Sequence, residues 1–525
     1  MQSDAFHVFD TTLRDGAQRE GISYSVADKL AVASLLDQVG VGFIEGGWPG
    51  AMPKDTEFFA RAADGELKLE NAVLVAFGAT RKAGVRVEDD AQVRALLDSR
   101  APVVTLVAKS DVRHVERALR TTLEENLAMV RETVAFLRAE GRRVFVDCEH
   151  FFDGYRHDRD YGVRVLEAAA AAGADVGVLC DTNGGMLPMG VHDVVSDVIK
   201  RAGIRLGVHT QDDTGCAVAN TLAAVDAGVT HVQGTANGYG ERAGNANLFS
   251  ILGGLVTKMG RDVLPEGALG EMVRVSHAIA EIANLAPDSH QPYVGVSAFA
   301  HKAGLHASAI KVEPALYNHL DPAVVGNDQR ILVTEMAGRA SVELKARELG
   351  LDLSERPDVV SSVVDMIKAR EAQGWSYEAA DASFELLIRD QLDPGAEPPF
   401  VVESYRVISE DTGAADVNAE ARVKLRVSER PVIAIREGNG PVNALDRALR
   451  RALRKDFPAL EELQLTDYKV RIMQGAHGTE AVTRVLIVTS DKRGRQWTTV
   501  GVHANVIEAS WLALHDAVRY GLLLS

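Results

Sequence analysis

Arg14 and Asp15 stand side by side just after a short apolar stretch that begins at Phe6. A carboxylate at a strand's end is a hard oxygen ligand for a divalent ion. A guanidinium beside it can neutralise an oxyanion on a bound carbonyl substrate. Taken alone, the two are equally an ordinary ion pair, worth little at a surface. Residues of the same kind recur later in the chain. His209 and Gln211 are two apart on a strand candidate and point to one face, so both could reach one ion. Asp147 and Glu149 share that relation, with Val146 and Cys148 alternating between them. Two carboxylates together suit acid–base work, because burial and mutual repulsion push a pKa upward. The competing role is a salt bridge, for which Arg14 or Arg156 would be the partner.

These residues need a scaffold that brings distant segments to one place. From the N-terminus a short apolar strand, a polar or Gly-rich turn and an amphipathic helix repeat. Strand candidates are Phe6–Asp10, Gly42–Gly46, Ala72–Gly78, Pro102–Ala108, Arg143–Glu149, Val176–Asp181, Ile204–His209 and Thr230–Thr235. Helix signals lie between them. Ser25 with Asp28 reads as a capping box before Leu30, Ala33, Leu36 and Val39, and Gly40 ends that run. Thr122 with Glu125 repeats the device before Leu127, and Gly141 terminates. Eight strands alternating with helices over roughly 250 residues predict a TIM (β/α)8 barrel. No Gly-x-Gly-x-x-Gly follows the first strand, which disfavours a doubly wound nucleotide-binding sheet. In a barrel, chemistry sits on the loops after the strands. Those positions hold Arg14, Asp15, Glu45, Lys109, Asp147, Glu149, Asp181, Thr182, His209, Gln211, Asn237 and Asn245.

Composition narrows the function classes. At 525 residues, two or three domains are expected, and 46% hydrophobic with 25% charged residues is globular. A formal net charge of −17 disfavours nucleic acid and anionic membrane, whose binding rests on Lys and Arg. Three scattered cysteines, Cys148, Cys180 and Cys216, build neither a disulfide framework nor a zinc knuckle. A reducing, cytoplasmic compartment is expected. No apolar run approaches the ~20 residues of a membrane span, and the N-terminus lacks a signal-peptide pattern.

Several ordered motifs carry a resemblance: Leu-Arg-Asp-Gly-Ala-Gln (13–18), Glu-Gly-Gly-Trp-Pro-Gly (45–50), Glu-His-Phe-Phe-Asp-Gly-Tyr (149–155) and Asp-Thr-Asn-Gly-Gly (181–185). With them go Gly-Cys-Ala-Val-Ala-Asn (215–220), Val-Gln-Gly-Thr-Ala-Asn-Gly-Tyr-Gly-Glu-Arg (232–242) and Phe-Ala-His-Lys-Ala-Gly-Leu-His (299–306). The chain resembles, nearly end to end, the citramalate synthase branch of the metal-dependent Claisen-condensing TIM barrels, which include isopropylmalate and homocitrate synthases. The resemblance implies condensation of acetyl-CoA with a small 2-oxoacid, pyruvate in this branch, on a route to isoleucine. It implies Asp15, His209, Gln211 and Asn245 as metal ligands and Arg14 facing the 2-oxoacid oxygens. Thr182 would touch the substrate carboxylate. Glu149 would serve the acid–base step, with His306 as the second acid–base residue. Phe77 and Asp147 are placed in the substrate pocket, Phe77 narrowing it in favour of a methyl group. The family usually reads His-x-His-Asn-Asp where this chain has His209-Thr210-Gln211-Asp212-Asp213. A Gln offers oxygen in place of nitrogen, moving the preference from zinc toward magnesium or manganese. Either Asp212 compensates for the lost nitrogen, or the site is weaker.

Beyond the barrel, expected over 1–270, residues 271–390 read as mainly helical, with Leu269–Asn284, Ser341–Glu348 and Arg356–Gln373 clearest. The acidic Pro- and Gly-containing run 390–399 marks a change of grammar. Ala421, Val423, Leu425 and Val427 alternate with charged residues as a half-buried strand. Residues 391–525 predict two βββα units, one with its helix after Gly440 and one with its helix opened by Asn505 and Glu508. They resemble the family's regulatory domain, which implies an isoleucine effector and a homodimer or larger homo-oligomer. Alternatives are an isopropylmalate synthase or another 2-oxoacid acetyltransferase, a retro-Claisen lyase, and a metal-poor barrel kept for regulation.

Overall fold

The computed structural model describes residues 5–302, 304–333, 338–410, 418–473 and 481–525. The chain divides into two compact units, one running to Phe299 with Leu320–Gln329 added, the other Ala300–His319 with Arg330–Ser525.

In the first unit eight parallel strands close into a barrel: β1 His7–Asp10, β2 Phe43–Gly47, β3 Val73–Ala79, β4 Val103–Lys109, β5 Arg143–Glu149, β6 Val176–Asp181, β7 Arg205–Thr210 and β8 His231–Gly234. Closure is made by β1 pairing with β8, from His7 opposite His231 to Asp10 opposite Gly234. Each strand lies within one or two residues of its expected position, because a strand buried on both faces reads as a short apolar run bounded by turns. The caps are also where spacing placed them. Ser25 and Asp28 form a reciprocal capping box on the helix Val26–Val39, and Gly40 ends it with φ 85°. That left-handed angle is what a glycine supplies at little cost. Thr122 Oγ accepts the Glu125 amide at the start of the helix Leu123–Ala139.

Phe9, Phe43 and Phe145 fill the barrel's interior with Val75, Val103, Val176, Val178 and Cys180. Each fully buried aromatic contributes about 1.5–3 kcal/mol, so this plug stiffens the base from which the strand ends project. The outer helices pack on the opposite face of the strands through Leu36, Leu96, Val130, Leu166, Val195 and Ile251.

The second unit holds a two-stranded parallel pair, β9 Ala300–His301 with β10 Arg330–Ile331, then helices Arg339–Glu348, Pro357–Ala372 and Asp381–Leu392. Two three-stranded antiparallel sheets follow. The first is β11 Val401–Glu410, β12 Asn418–Val427 and β13 Arg430–Gly438. The second is β14 Gln464–Ile472, β15 Thr483–Ser490 and β16 Gln496–His503. A helix closes each repeat, Pro441–Leu453 and Val506–Leu523, the latter capped by Asn505. The alternation in β12 puts Ala421, Val423 and Leu425 in the core while Glu420 and Arg422 face out. The three helices before the sheets are not a free connector. Val360, Val363, Phe384 and Leu387 share one core with Val500 and Val502 of β16.

Candidate functional site

The C-terminal ends of the barrel strands enclose a pocket of about 160 Å³, lined by Arg14, Asp15, Gln18, Phe77, Val107, Asp147, Glu149, Cys180, Thr182, His209, Gln211, Glu241 and Arg242. This is far below the 300–1,000 Å³ of sites for drug-sized ligands, so it suits a small acid.

Arg14 is fixed on three sides. Its Nε donates to Glu45 Oε2 at 2.6 Å, one Nη lies 3.5 Å from Asp15 Oδ2, and the guanidinium sits 3.9 Å above the Phe77 ring. Phe77 in turn meets Trp48 edge-on, with ring centroids 5.2 Å apart. Glu45 is wholly buried. Burial raises its pKa to about 7, Arg14 opposing the rise and the nearby Asp147 adding to it.

Across the barrel, His209 Nε2 lies 3.2 Å from Asp15 Oδ2. Its Nδ1 lies 2.8 Å from Gln233 Oε1, an oxygen that only accepts, so Nδ1 carries the proton. Gln233 Nε2 donates onward to Asp147 Oδ1 at 3.0 Å. Burial pushes the Asp15 carboxyl up, but Arg14 and the His209 hydrogen bond outweigh it and hold the group well below the carboxylate range. His209 is the mirror case: burial disfavours its charge, and Asp15 raises its pKa nonetheless. The Asp147 pKa is raised chiefly by burial, with His209 and Arg14 opposing.

A divalent cation can be tested against these donors. Gln211 Oε1 and Asn245 Oδ1 are buried acceptors with no hydrogen-bond partner among the described residues. Residues 211 and 245 face each other in an antiparallel bridge, which brings both to the Asp15–His209 side of the mouth. Buried polar atoms are normally satisfied, and two orphaned amide oxygens beside a carboxylate and an imidazole suit a hard, oxygen-preferring ion. Among the described residues no trio of His, Cys, Asp or Glu forms a metal site, so the amide oxygens are needed to complete one. Gln233 holds the ring of His209 from behind, as an outer partner of a metal-binding histidine does.

The other residues expected at the strand ends, and His306, take the following partners. Asp212 is not among the residues lining the pocket with Asp15, and its Oδ1 accepts the Ala217 amide at 2.8 Å at the start of the following helix. Neither Arg14 nor Arg156 pairs with Glu149. Its carboxylate takes Lys109, while Arg156 lies against Met186 Sδ. Asp181 turns to the Gly185 and Met186 amides, and burial raises its pKa to about 6. Asn237 is engaged by Ser276, Gln291 and Tyr239. Asn245 lines a neighbouring hollow of about 460 Å³. His306 belongs to the second unit, where its ring stacks on Tyr317 at 4.1 Å. Thr182 Oγ accepts the His150 amide at 2.8 Å, which leaves its own proton to donate.

Glu45 was expected at the barrel mouth but without a partner or role, and Gln233, with Val107 and Cys180 of the apolar wall beside Phe77, was not expected at the site. A glutamate and a glutamine on strands buried on both faces were the available signal, since such positions rarely hold unpaired polar groups.

Comparison with known proteins matches residues 5–279 to the HMGL-like family, 293–374 to the homocitrate synthase post-HMGL domain-like family and 378–522 to the LeuA allosteric (dimerisation) domain. The chain is 64% identical to an (R)-citramalate synthase of Streptomyces coelicolor over 99% of its own length and 97% of the relative's. It is 47% identical to an (R)-citramalate synthase of Synechocystis over 98% and 96%. A 2-isopropylmalate synthase of Methanocaldococcus jannaschii is 29% identical over 98% and 94%.

Proposed function

Because the chain belongs to the HMGL-like family, and within it to the (R)-citramalate synthases, we propose that it is an acyltransferase condensing acetyl-CoA with pyruvate. Water then cleaves the thioester, and citramalate and CoA leave. The observation that carries this reading is the near-full-length identity to relatives of that name. The size of the pocket supports it.

Pyruvate is set with its oxygens toward Arg14, whose charge is held in place by Glu45 and the Phe77 face. Thr182 Oγ donates to the substrate carboxylate, and the methyl group lies against Phe77, Val107 and Cys180. Glu149 takes a proton from the methyl of acetyl-CoA. The carbanion carbon bonds to the keto carbon, and negative charge passes to the keto oxygen beside Arg14, where a preplaced cation lowers the barrier most. A divalent cation held by Asp15, His209, Gln211 and Asn245 would supply Lewis-acid polarisation of the keto group. The oxygen-rich donor set favours magnesium or manganese, with zinc admissible. His306 is assigned the second acid–base role.

The C-terminal repeats are proposed to regulate by binding isoleucine and to join two copies into a homodimer. No described helix is long and apolar enough to cross a membrane, and a cytoplasmic enzyme of isoleucine biosynthesis is the accompanying proposal.

The test is CoA release from acetyl-CoA with a panel of 2-oxoacids, with and without Mg²⁺, Mn²⁺ and Zn²⁺. Release should be fastest with pyruvate. No release with any acceptor or metal would end the enzyme reading, and a larger 2-oxoacid outrunning pyruvate would favour an isopropylmalate synthase.

A further inference from the structure

Beside Glu149, outside the roles given above, lies a pair of stacked imidazoles. His150 follows β5 directly in a left-handed conformation, φ 59° and ψ 31°, before the helix Phe151–His157 begins. A non-glycine residue adopts that conformation at a cost and persists in it only when its surroundings impose it. Here they do. Its amide is bound by Thr182 Oγ, and the Glu149 carbonyl before it accepts both the Ser110 amide, at 3.2 Å, and the Ser110 hydroxyl, at 2.7 Å.

Gly154 lets the same helix press on the loop after β4. A Cβ there would lie 2.7 Å from Ser110 O and 2.9 Å from Asp111 Cα. That contact lays the turn Val112–His114 over the elbow, so the His114 ring stacks on His150 at 3.8 Å, tilted by 23°.

The result is a bracketed carboxylate. Glu149 Oε2 is paired with Lys109, while Oε1 lies 4.0 Å from His150 Nε2. The His150 side chain is only 11% exposed, and its Nδ1 is buried with no hydrogen-bond partner among the described residues. A buried nitrogen without an acceptor is least costly as a bare lone pair, which puts the proton on Nε2, the nitrogen facing Glu149. The charged and titratable groups around the ring are Lys109 from β4, His114 from the following turn, Glu149 from β5 and Asp153 from the next helix. Burial, then His114, press the His150 pKa below its ordinary value against the pull of Glu149.

We propose that His150 is a positioning residue for Glu149: a neutral imidazole whose Nε2–H, 4.0 Å from one carboxylate oxygen in this structure, closes on it in the substrate complex while Lys109 holds the other, aiming the base at the acetyl methyl. The proposal rests on the reading of Glu149 as the base. The stacked His114 keeps the ring in place and opposes a second charge. The imidazole gives no proton away; it limits where the carboxylate can point. Orientation of this kind separates a placed base from a mobile one.

The experiment uses the full chain with acetyl-CoA and pyruvate across a pH series, comparing Glu149→Gln, His150→Asn and His150→Gln. Asparagine tolerates the left-handed angle but is too short to reach Glu149; glutamine reaches it with an N–H. The expected result is a kcat lowered about 10- to 100-fold in His150→Asn, the range for a lost hydrogen bond to a charged group. Its KM for pyruvate should stay within about twofold of wild type, since Arg14 and Thr182 are untouched. A carboxylate that loses a donor is easier to protonate, so the acidic limb of kcat should move to higher pH. His150→Gln should recover most of the loss. Thermal melting of each variant separates misfolding from misplacement. A dead Glu149→Gln beside a His150→Asn with wild-type kcat and pH profile would overturn this proposal alone. Equal losses in His150→Asn and His150→Gln would also overturn it. An active Glu149→Gln would remove the base assignment and this inference with it.

Discussion

The Arg14–Glu45 pair gives the sharpest perturbation of the site. Glu45 Oε2 accepts from Arg14 Nε at 2.6 Å, Glu45 is fully buried, and the Arg14 side chain is 13% exposed. At pH 8, above the Glu45 pKa of about 7, Glu45→Gln keeps an acceptor of the same shape and removes the charge. A hydrogen bond to a charged group contributes about 1.5–3 kcal/mol and a neutral one about 0.5–1.5 kcal/mol, so the swap should cost Arg14 about 1–2 kcal/mol of anchoring. If Arg14 steadies the developing alkoxide, that loss appears as a kcat/KM for pyruvate lowered about 5- to 30-fold. Glu45→Ala is a different perturbation, because it removes the nearer of the two carboxylates paired with a largely buried guanidinium and leaves only the 3.5 Å contact to Asp15. Breaking a buried pair from one side costs about 3–5 kcal/mol, so folding stability should fall as well as activity. Steady-state kinetics with pyruvate, and urea unfolding of both variants, measure the two effects. A Glu45→Ala protein with wild-type kcat/KM and wild-type stability would refute the claim that Glu45 places Arg14.

Phe77→Ala should widen the pocket and move the kcat/KM ratio toward 2-oxobutanoate by roughly tenfold, the worth of about one methylene; an unchanged ratio would remove Phe77 from the specificity wall. Gln233→Leu should weaken Mn²⁺ binding, followed by calorimetry, about 10- to 100-fold by freeing the His209 ring, whereas Gln211→His should bind at least as tightly as wild type. Asp10 offers a pH test, since burial raises its pKa to about 7 against the opposing hydrogen bonds from Thr12. Between about pH 4 and 7 the folded chain holds a proton that the unfolded chain has released, so stability falls as pH rises, by up to ~1.4 kcal/mol per unit. Asp10→Asn has no such proton, and its stability relative to wild type should rise by about 2 kcal/mol from pH 5 to pH 7; a difference independent of pH would count against a neutral Asp10.

The barrel was readable because its strands are short apolar runs and its helices carry their own punctuation. The Ser25–Asp28 box and Gly40 are local signals that tertiary packing did not override. The βββα repeats were readable for the same reason, the period-two alternation of β12 being plain in the sequence. At the site, spacing placed Asp15, Asp147, His209 and Gln211 at strand ends, and the structure gathers them around one pocket. What spacing does not carry is where a side chain turns once the strand has ended. Asp181 and Asn237 occupy strand-end loops like Asp15 does, yet both are spent on backbone and neighbouring side chains. Asp212 faces the next helix for the same reason. Partners separated by 86 residues, such as Gln233 and Asp147, leave no local trace at all.

The central claim is a Claisen condensation of acetyl-CoA with pyruvate in the pocket around Arg14 and Glu149. Acetyl-CoA bearing three deuterons on its methyl group tests it in one incubation with pyruvate, the full chain and Mg²⁺ or Mn²⁺, the product read by mass and chirality. Proton removal before carbon–carbon bond formation predicts (R)-citramalate carrying two deuterons, one for each CoA released. CoA release without citramalate, or citramalate retaining none of the label, would contradict it.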